Sequence, residues 1–355
     1  MNIFSYLDYY GNVPFSEMSF NEVDSLIFSL LSYVELQDIV SNSHYTISLF
    51  EASKLFLMKF RTVDFSKKNW LFPHSYHLME RLKSCLRYSK VYLSSFVNEI
   101  NENGQFGALT IRETTTNLTY LSYEGTDSTI VGWKEDFDMV CNYPVYSQCR
   151  AKEYFDSSIS LFDRNVYLGG HSKGGNLAMY AYMYGHSSYK KKVKKVYNFD
   201  GPGFLEDVLS IPIYKELNSK LVHVVPQESV VGMLLYHDSY TCVKSSAKSI
   251  LQHDAYSWNL FGGFFVRDKL SAKSQNFNTK LKTFLDQLTL DEKQEFVDQL
   301  FQVFEDLNIT NVMQLKDYRF SDFLNFMKEF SEIPSQTRKN LIEMIKILLG
   351  VVSAF

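Results

Sequence analysis

The sequence predicts an α/β fold with a mostly parallel central sheet covered by helices, and three observations predict it. Short apolar runs rich in Val, Tyr and Phe recur at residues 165–168, 195–199 and 221–225. Segments with apolar residues at helical spacing separate them, and strands that alternate with helices pair in parallel. Each run also stops in residues that end a strand and turn the chain: Gly169-Gly170, Asp200-Gly201-Pro202-Gly203 and Pro226.

Upstream, residues 17–40 read as a helical region. Asn21 can cap it, and Val23, Leu26, Ile27, Leu30, Leu31 and Val34 follow on one face. Residues 76–86 and 90–101 are expected to be helical as well. Residues 106–111 and 117–123 are β-rich runs separated by polar residues, which predicts a hairpin whose second strand ends at Glu124-Gly125-Thr126. Residues 148–163 suit a helix, and Ser172 opens another that contains Leu177, Ala178, Met179 and Ala181. After about residue 275 the β pattern disappears. Thr289-Leu290-Asp291-Glu292 forms a capping box, with Phe296, Leu300, Phe304 and Leu307 on one face behind it. Residues 317–330 and 337–352 are expected to form further helices. The chain therefore divides into residues 1–274, made of N-terminal helices (1–101) plus the core, and a helical C-terminal extension, 275–355.

The 355 residues are 45% hydrophobic and 21% charged, a composition that supplies a full core and excludes a disordered or coiled-coil chain. A net charge of -4 gives no electrostatic case for nucleic acid. The basic run Lys190–Lys195 reads as a solvated turn before a strand, with a phosphate or membrane patch as the alternative. The four cysteines lack Cys-x-x-Cys spacing, so neither a zinc site nor a redox pair is signalled, and no metal or organic cofactor is expected. The first residues lack the basic and apolar regions of a signal peptide, so a cytoplasmic location with reduced thiols is expected. No run of 18 uncharged apolar residues is present to span a bilayer. Residues 341–349 are apolar on most sides, which predicts burial, with peripheral membrane contact or a partner as the alternatives.

The chemistry concentrates at Gly170-His171-Ser172-Lys173-Gly174, set between a strand and a helix. A serine on such a tight turn is held in a strained conformation and exposed at the sheet edge, and the glycines relieve clashes across the turn. The following helix directs N–H groups at a developing oxyanion, the backbone N–H of Lys173 among them. Four histidines follow: His186, His223, His237 and His253. His253, in Gln252-His253-Asp254-Ala255-Tyr256-Ser257-Trp258, is the favoured base. Asp200, at the end of a strand, is the favoured acid, and Glu228, at the end of the next strand, is the alternative. Thr126, ending an earlier strand, is placed to give a second oxyanion donor.

These pieces resemble the lipase-like α/β-hydrolases. The segment YEGTDSTIVGWKEDF is similar to a stretch of class 3 lipases whose Thr or Ser lines the oxyanion hole. The elbow GHSKGGNLA resembles theirs, with Lys173 standing where they carry leucine. The closer likeness is to a bacterial family of lipase-like hydrolases without an assigned function. It is carried by FNEVDSLIFSLLSYVEL, GGHSKGGNLA, NFDGPGF, VVPQESVVGMLL and QHDAYSW, and covers roughly residues 1–260. The resemblance implies an α/β-hydrolase fold and a serine hydrolase acting on small-molecule or lipid carboxylic esters through Ser172, Asp200 and His253. The class 3 likeness instead places the acid near Glu228. A catalytically silent binding or scaffolding protein that keeps the elbow for structural reasons is the second expectation.

Overall fold

The computed structural model describes residues 1–126, 130–309 and 314. The expected helices at 317–330 and 337–352, and the apolar segment 341–349, lie outside the described residues. The chain opens with α1 (Ile3–Tyr10) and α2 (Glu22–Leu30). It continues through β1 (Ile47–Ser48), α3 (Leu49–Lys59) and α4 (Phe72–Leu82) into β2 (Val91–Asn101), β3 (Gly104–Glu113) and β4 (Leu118–Tyr123). Next come α5 (Ile130–Asp138), α6 (Tyr146–Ser158), β5 (Asn165–His171) and α7 (Lys173–Tyr184). The short α8 (Ser187–Lys190) precedes β6 (Val193–Phe199), α9 (Glu206–Ser210), α10 (Pro212–Asn218), β7 (Leu221–Pro226) and β8 (Thr241–Val243). A two-stranded ribbon, β9 (Leu260–Phe261) and β10 (Phe264–Phe265), is followed by α11 (Ala272–Asp286) and α12 (Leu290–Asp306).

Eight strands form one sheet in sequential order, β1 to β8. The pairings from β1 to β4 are antiparallel, and those from β4 to β8 are parallel. This is the α/β-hydrolase architecture: an antiparallel start, then parallel strands linked by helices. Pleating sends alternate residues of each strand to opposite faces. On one face Tyr120 and Tyr197 pack with Leu26, Ile27 and Phe28 of the N-terminal helices. On the other, Leu121, Val166 and Leu168 pack with Phe155, Leu177 and Ala178. Each large apolar side chain buried in this way stabilises the fold by roughly 1.5–3 kcal/mol.

Residues 90–101, expected to be helical, form β2 instead. The strand pairs with β3 from Val91↔Glu113 to Asn101↔Gly104. A two-residue turn closes the hairpin and brings the neighbouring strand close enough to complete the hydrogen-bond ladder, which outweighs a helix-compatible local pattern. The N-terminal helical region is also shorter than 17–40. Asn21 caps α2 in a capping box with Asp24, and after Leu30 the chain tightens into a 3-10 turn at Leu31–Tyr33. The capping box at Thr289 and Glu292 opens α12 as the spacing predicts.

The N-terminal layer is fastened by a buried ion pair. Arg87 donates to Asp24 through Nε (2.8 Å) and Nη2 (2.5 Å). The same carboxylate accepts from Tyr6 and Tyr88, and Phe15 lies under the guanidinium at 4.1 Å. Among the described residues, no helix is long and apolar enough to cross a membrane.

Candidate active site

The parallel strands all point their C-terminal ends at one edge of the sheet, and the chemistry-bearing residues collect there. β5 ends at His171, and Ser172 follows with φ 58 and ψ -136 before α7 begins. A non-glycine residue in that region is strained, and the strain is held by its surroundings. Ser172 N–H donates to Phe199 O of the neighbouring strand at 2.9 Å. The turn is so tight that a Cβ at Gly170 would lie 2.3 Å from the backbone of Gly174, and one at Gly174 2.1 Å from Tyr123 O. Both positions exclude any side chain.

Asp200 follows β6 in the left-handed region, φ 52, and is fully buried. Asn198 stabilises the bend by accepting the N–H of Gly201 at 2.7 Å. The Asp200 carboxylate is engaged through both oxygens: Oδ1 accepts from the Ser229 hydroxyl and from Gly232 N–H (3.2 Å), and Oδ2 lies 2.6 Å from His253 Nδ1. His253 Nε2 is in turn 3.0 Å from Ser172 Oγ. The structure thus brings Ser172, His253 and Asp200 into one hydrogen-bonded line. A carboxylate on Nδ1 fixes the imidazole tautomer with Nε2 free to accept the serine proton.

Glu228 is elsewhere engaged. Its carboxylate accepts the N–H of Ser249, and its own N–H donates to Gln252 Oε1 at 2.8 Å. It braces the 3-10 turn Ser249–His253 that carries the imidazole. The other three candidate histidines stand apart from this line. His186 Nδ1 lies against Ser188, and His223 and His237 face each other edge-on at 5.1 Å.

A second imidazole, from His171, supports the first. Its Nε2 lies 2.7 Å from the carbonyl of His253, which can only accept, so Nε2 is assigned the proton. Its Nδ1 is 3.2 Å from the Tyr33 hydroxyl. Burial, and then the nearby His253, hold His171 well below the ordinary imidazole range, so it is neutral. Trp258 Nε1 donates to Gln252 O at 2.7 Å and fixes the same turn from its other side.

Thr126 follows Gly125, whose backbone approaches the nucleophile so closely that a Cβ there would stand 2.9 Å from Ser172 Cβ. Thr126 Oγ1 donates to Asp136 Oδ2 at 2.5 Å. Burial pushes the Asp136 carboxyl up to about 6, against the opposing pull of Lys173 and of the Thr126 hydroxyl. Lys173 is the first residue of α7, where backbone N–H groups point out of the helix end. Its side chain turns inward and is only 1% exposed. Nζ donates to Glu135 Oε2 at 2.8 Å and to Gln105 O at 3.3 Å, and lies 3.9 Å from Asp136 Oδ1. Glu135 also accepts from Ser147 N–H at 2.7 Å, so the pair ties α5, α6 and β3 to the elbow.

The sequence points to Ser172, His253, Asp200, Glu228, Lys173 and Thr126, but not to Tyr33, His171, Glu135 or Asp136 as parts of the site. A signal for the acids was present. A lysine on an elbow packed against a sheet needs a buried counter-charge, and Glu135-Asp136 sits in the same segment as Thr126. Among the described residues, no three His, Cys, Asp or Glu side chains gather as a metal site.

No curated protein matches the chain. Among solved structures it is similar to M37 lipase, at 13% identity and a TM-score of 0.39 over 61% of this chain and 70% of that one. It is similar to lipase II from Rhizopus niveus, at 15% identity and a TM-score of 0.33 over 43% of this chain and 67% of the other. The Lip2 lipase from Yarrowia lipolytica matches at 15% identity and a TM-score of 0.30, over 44% of this chain and 65% of that one. The model of the Mbeg1-like family matches residues 82–302, a span that runs from the end of α4 through the whole elbow, acid and histidine turn into α12, and the chain belongs to that family.

Proposed function

We propose that the protein is a serine hydrolase of carboxylic esters, with Ser172 as nucleophile, His253 as general base and acid, and Asp200 as the orienting carboxylate. The observation that carries this reading is the continuous contact from Ser172 Oγ to His253 Nε2 (3.0 Å) and from His253 Nδ1 to Asp200 (2.6 Å), on a strained elbow. His253 takes the proton as Ser172 Oγ attacks the acyl carbon. The backbone N–H groups of Lys173 and Thr126 receive the oxyanion, and Asp136 holds the Thr126 hydroxyl. His253 then protonates the leaving alcohol, and water resolves the acyl-enzyme by the same steps in reverse. No part of this sequence needs a metal or organic cofactor.

Purified protein assayed against p-nitrophenyl esters of increasing chain length tests the reading. The expected result is turnover that Ser172→Ala lowers by roughly 10^4-fold or more with the fold retained. Turnover that survives the substitution would remove Ser172 from the role. A folded wild-type protein inert to every ester would favour a silent binding protein on the same fold.

A further inference from the structure

At the end of the sheet opposite Ser172, the loop between α6 and β5 carries two of the most exposed large apolar side chains of the described chain, Leu161 (81%) and Phe162 (87%). The loop is built to present them. Asp163 points inward, where it accepts from Thr119 Oγ1 at 2.8 Å and from Ser160 N–H at 2.7 Å. Lys192 crosses from the start of the next strand and donates to the carbonyls of Ser160 and Leu161, both at 2.8 Å. The two apolar side chains therefore project from a pinned turn rather than a loose one.

Cations gather at the same end of the sheet. Arg164, Lys191, Lys194 and Lys195 are exposed beside the turn, at the first residues of β5 and β6, and Lys192 is half-buried among them. Among the described residues, none of these five takes part in an ion pair, although the chain as a whole is acidic at -4. The acid nearest in sequence, Asp163, is turned into the protein.

We propose that this end of the molecule is a docking surface for an anionic lipid bilayer, with Leu161 and Phe162 inserting between headgroups and Arg164, Lys191, Lys192, Lys194 and Lys195 lying on the charged surface. The pairing of the two features selects the partner. A soluble polyanion satisfies the cations and leaves Leu161 in water, whereas a bilayer surface takes both. Each cation near an anionic surface strengthens binding by roughly fivefold, and each inserted large apolar side chain by about tenfold or more. β5 spans seven residues, so the bilayer would lie about 20 Å from Ser172, with the candidate site facing the water. The surface stands independently of the catalytic reading.

The test is flotation of the full chain with phosphatidylcholine vesicles, with and without phosphatidylserine, for wild type, Leu161→Ser/Phe162→Ser and Lys191→Glu/Lys194→Glu/Lys195→Glu. Circular dichroism and thermal melting check that each variant is folded. The expected result is salt-sensitive binding to the phosphatidylserine vesicles alone, weakened at least tenfold in either variant. Failure of the wild type to float would overturn the proposal, as would binding unaffected by both variants. Loss of binding in the lysine variant alone, with single-stranded RNA competing equally in wild type and in Leu161→Ser/Phe162→Ser, would identify a soluble-polyanion site and also overturn it.

Discussion

Lys173 places its backbone at the start of α7 and its side chain in a buried ion pair, and Lys173→Met changes only the second. The backbone N–H at the start of α7 is unchanged by the substitution. The side chain loses an ammonium that is 1% exposed and 2.8 Å from Glu135, itself 4% exposed at the side chain. Removing one partner of a buried pair costs about 3–5 kcal/mol, because the other charge is left desolvated. Glu135 keeps the Ser147 N–H at 2.7 Å and the Gln105 N–H at 3.3 Å, which places the expected loss at the lower end, about 3 kcal/mol. Glu135→Gln alone leaves the ammonium buried against Gln105 O and the Asp136 carboxylate at 3.9 Å, and is expected to cost less than Lys173→Met. The double variant replaces both charges and is expected to recover about 1–2 kcal/mol relative to the sum of the singles. Urea unfolding of the four proteins, followed by tryptophan fluorescence, gives the cycle. A Lys173→Met protein within 1 kcal/mol of wild type, or strict additivity in the cycle, would refute the reasoning.

Four further outcomes are expected. Asp200→Asn leaves the fold intact but lowers kcat for ester turnover by roughly 10^3–10^4-fold, because the His253 tautomer is no longer enforced. Glu228→Gln changes kcat by less than about tenfold, and steady-state kinetics of the two variants would reverse the choice of acid if Glu228→Gln were the more damaging. Asp136→Ala frees the Thr126 hydroxyl and lowers kcat by roughly 10–100-fold with little change in KM, so a change confined to KM would place Thr126 in binding instead. Burial, followed by the neighbouring His237, holds the His223 imidazole down at about 3, against an ordinary value of 6.5. The unfolded chain therefore takes up this proton first, and stability falls as pH drops from about 6.5 toward 3, by at most about 1.4 kcal/mol per pH unit. Denaturant unfolding across this range should show that slope reduced in His223→Phe, and an unchanged slope would remove His223 as its source.

The parts of the site readable from sequence are those fixed by a short stretch of backbone. The elbow needs its two glycines within five residues, and Asp200 stands at a strand end marked by Gly-Pro-Gly, so each announces itself locally. His253 emerged by its setting among four candidates, and the structure brings it, and not His186, His223 or His237, to Ser172. The unread parts depend on contacts between distant segments. Tyr33 and His171 are 138 residues apart, and Lys173 and Glu135 38 apart, so no local pattern pairs them. The same holds for β2. Residues 90–101 satisfy a helical pattern taken alone, and only the hairpin partner at 104–113 makes them a strand. The run Lys190–Lys195 read as a solvated turn, because its apolar companions Leu161 and Phe162 lie about 30 residues earlier and join it only across the end of the parallel sheet.

The central claim is that Ser172 is an activated nucleophile, and labelling with a fluorophosphonate tests it most directly. The reagent phosphonylates a serine only when a base removes its proton and an oxyanion hole accepts the developing charge, so it needs no knowledge of the natural ester. Mass spectrometry of the treated full chain should find one stoichiometric adduct, on the peptide containing Ser172, absent in Ser172→Ala and strongly slowed in His253→Ala. A folded protein that takes up no label, or takes it up on another residue, would contradict the account.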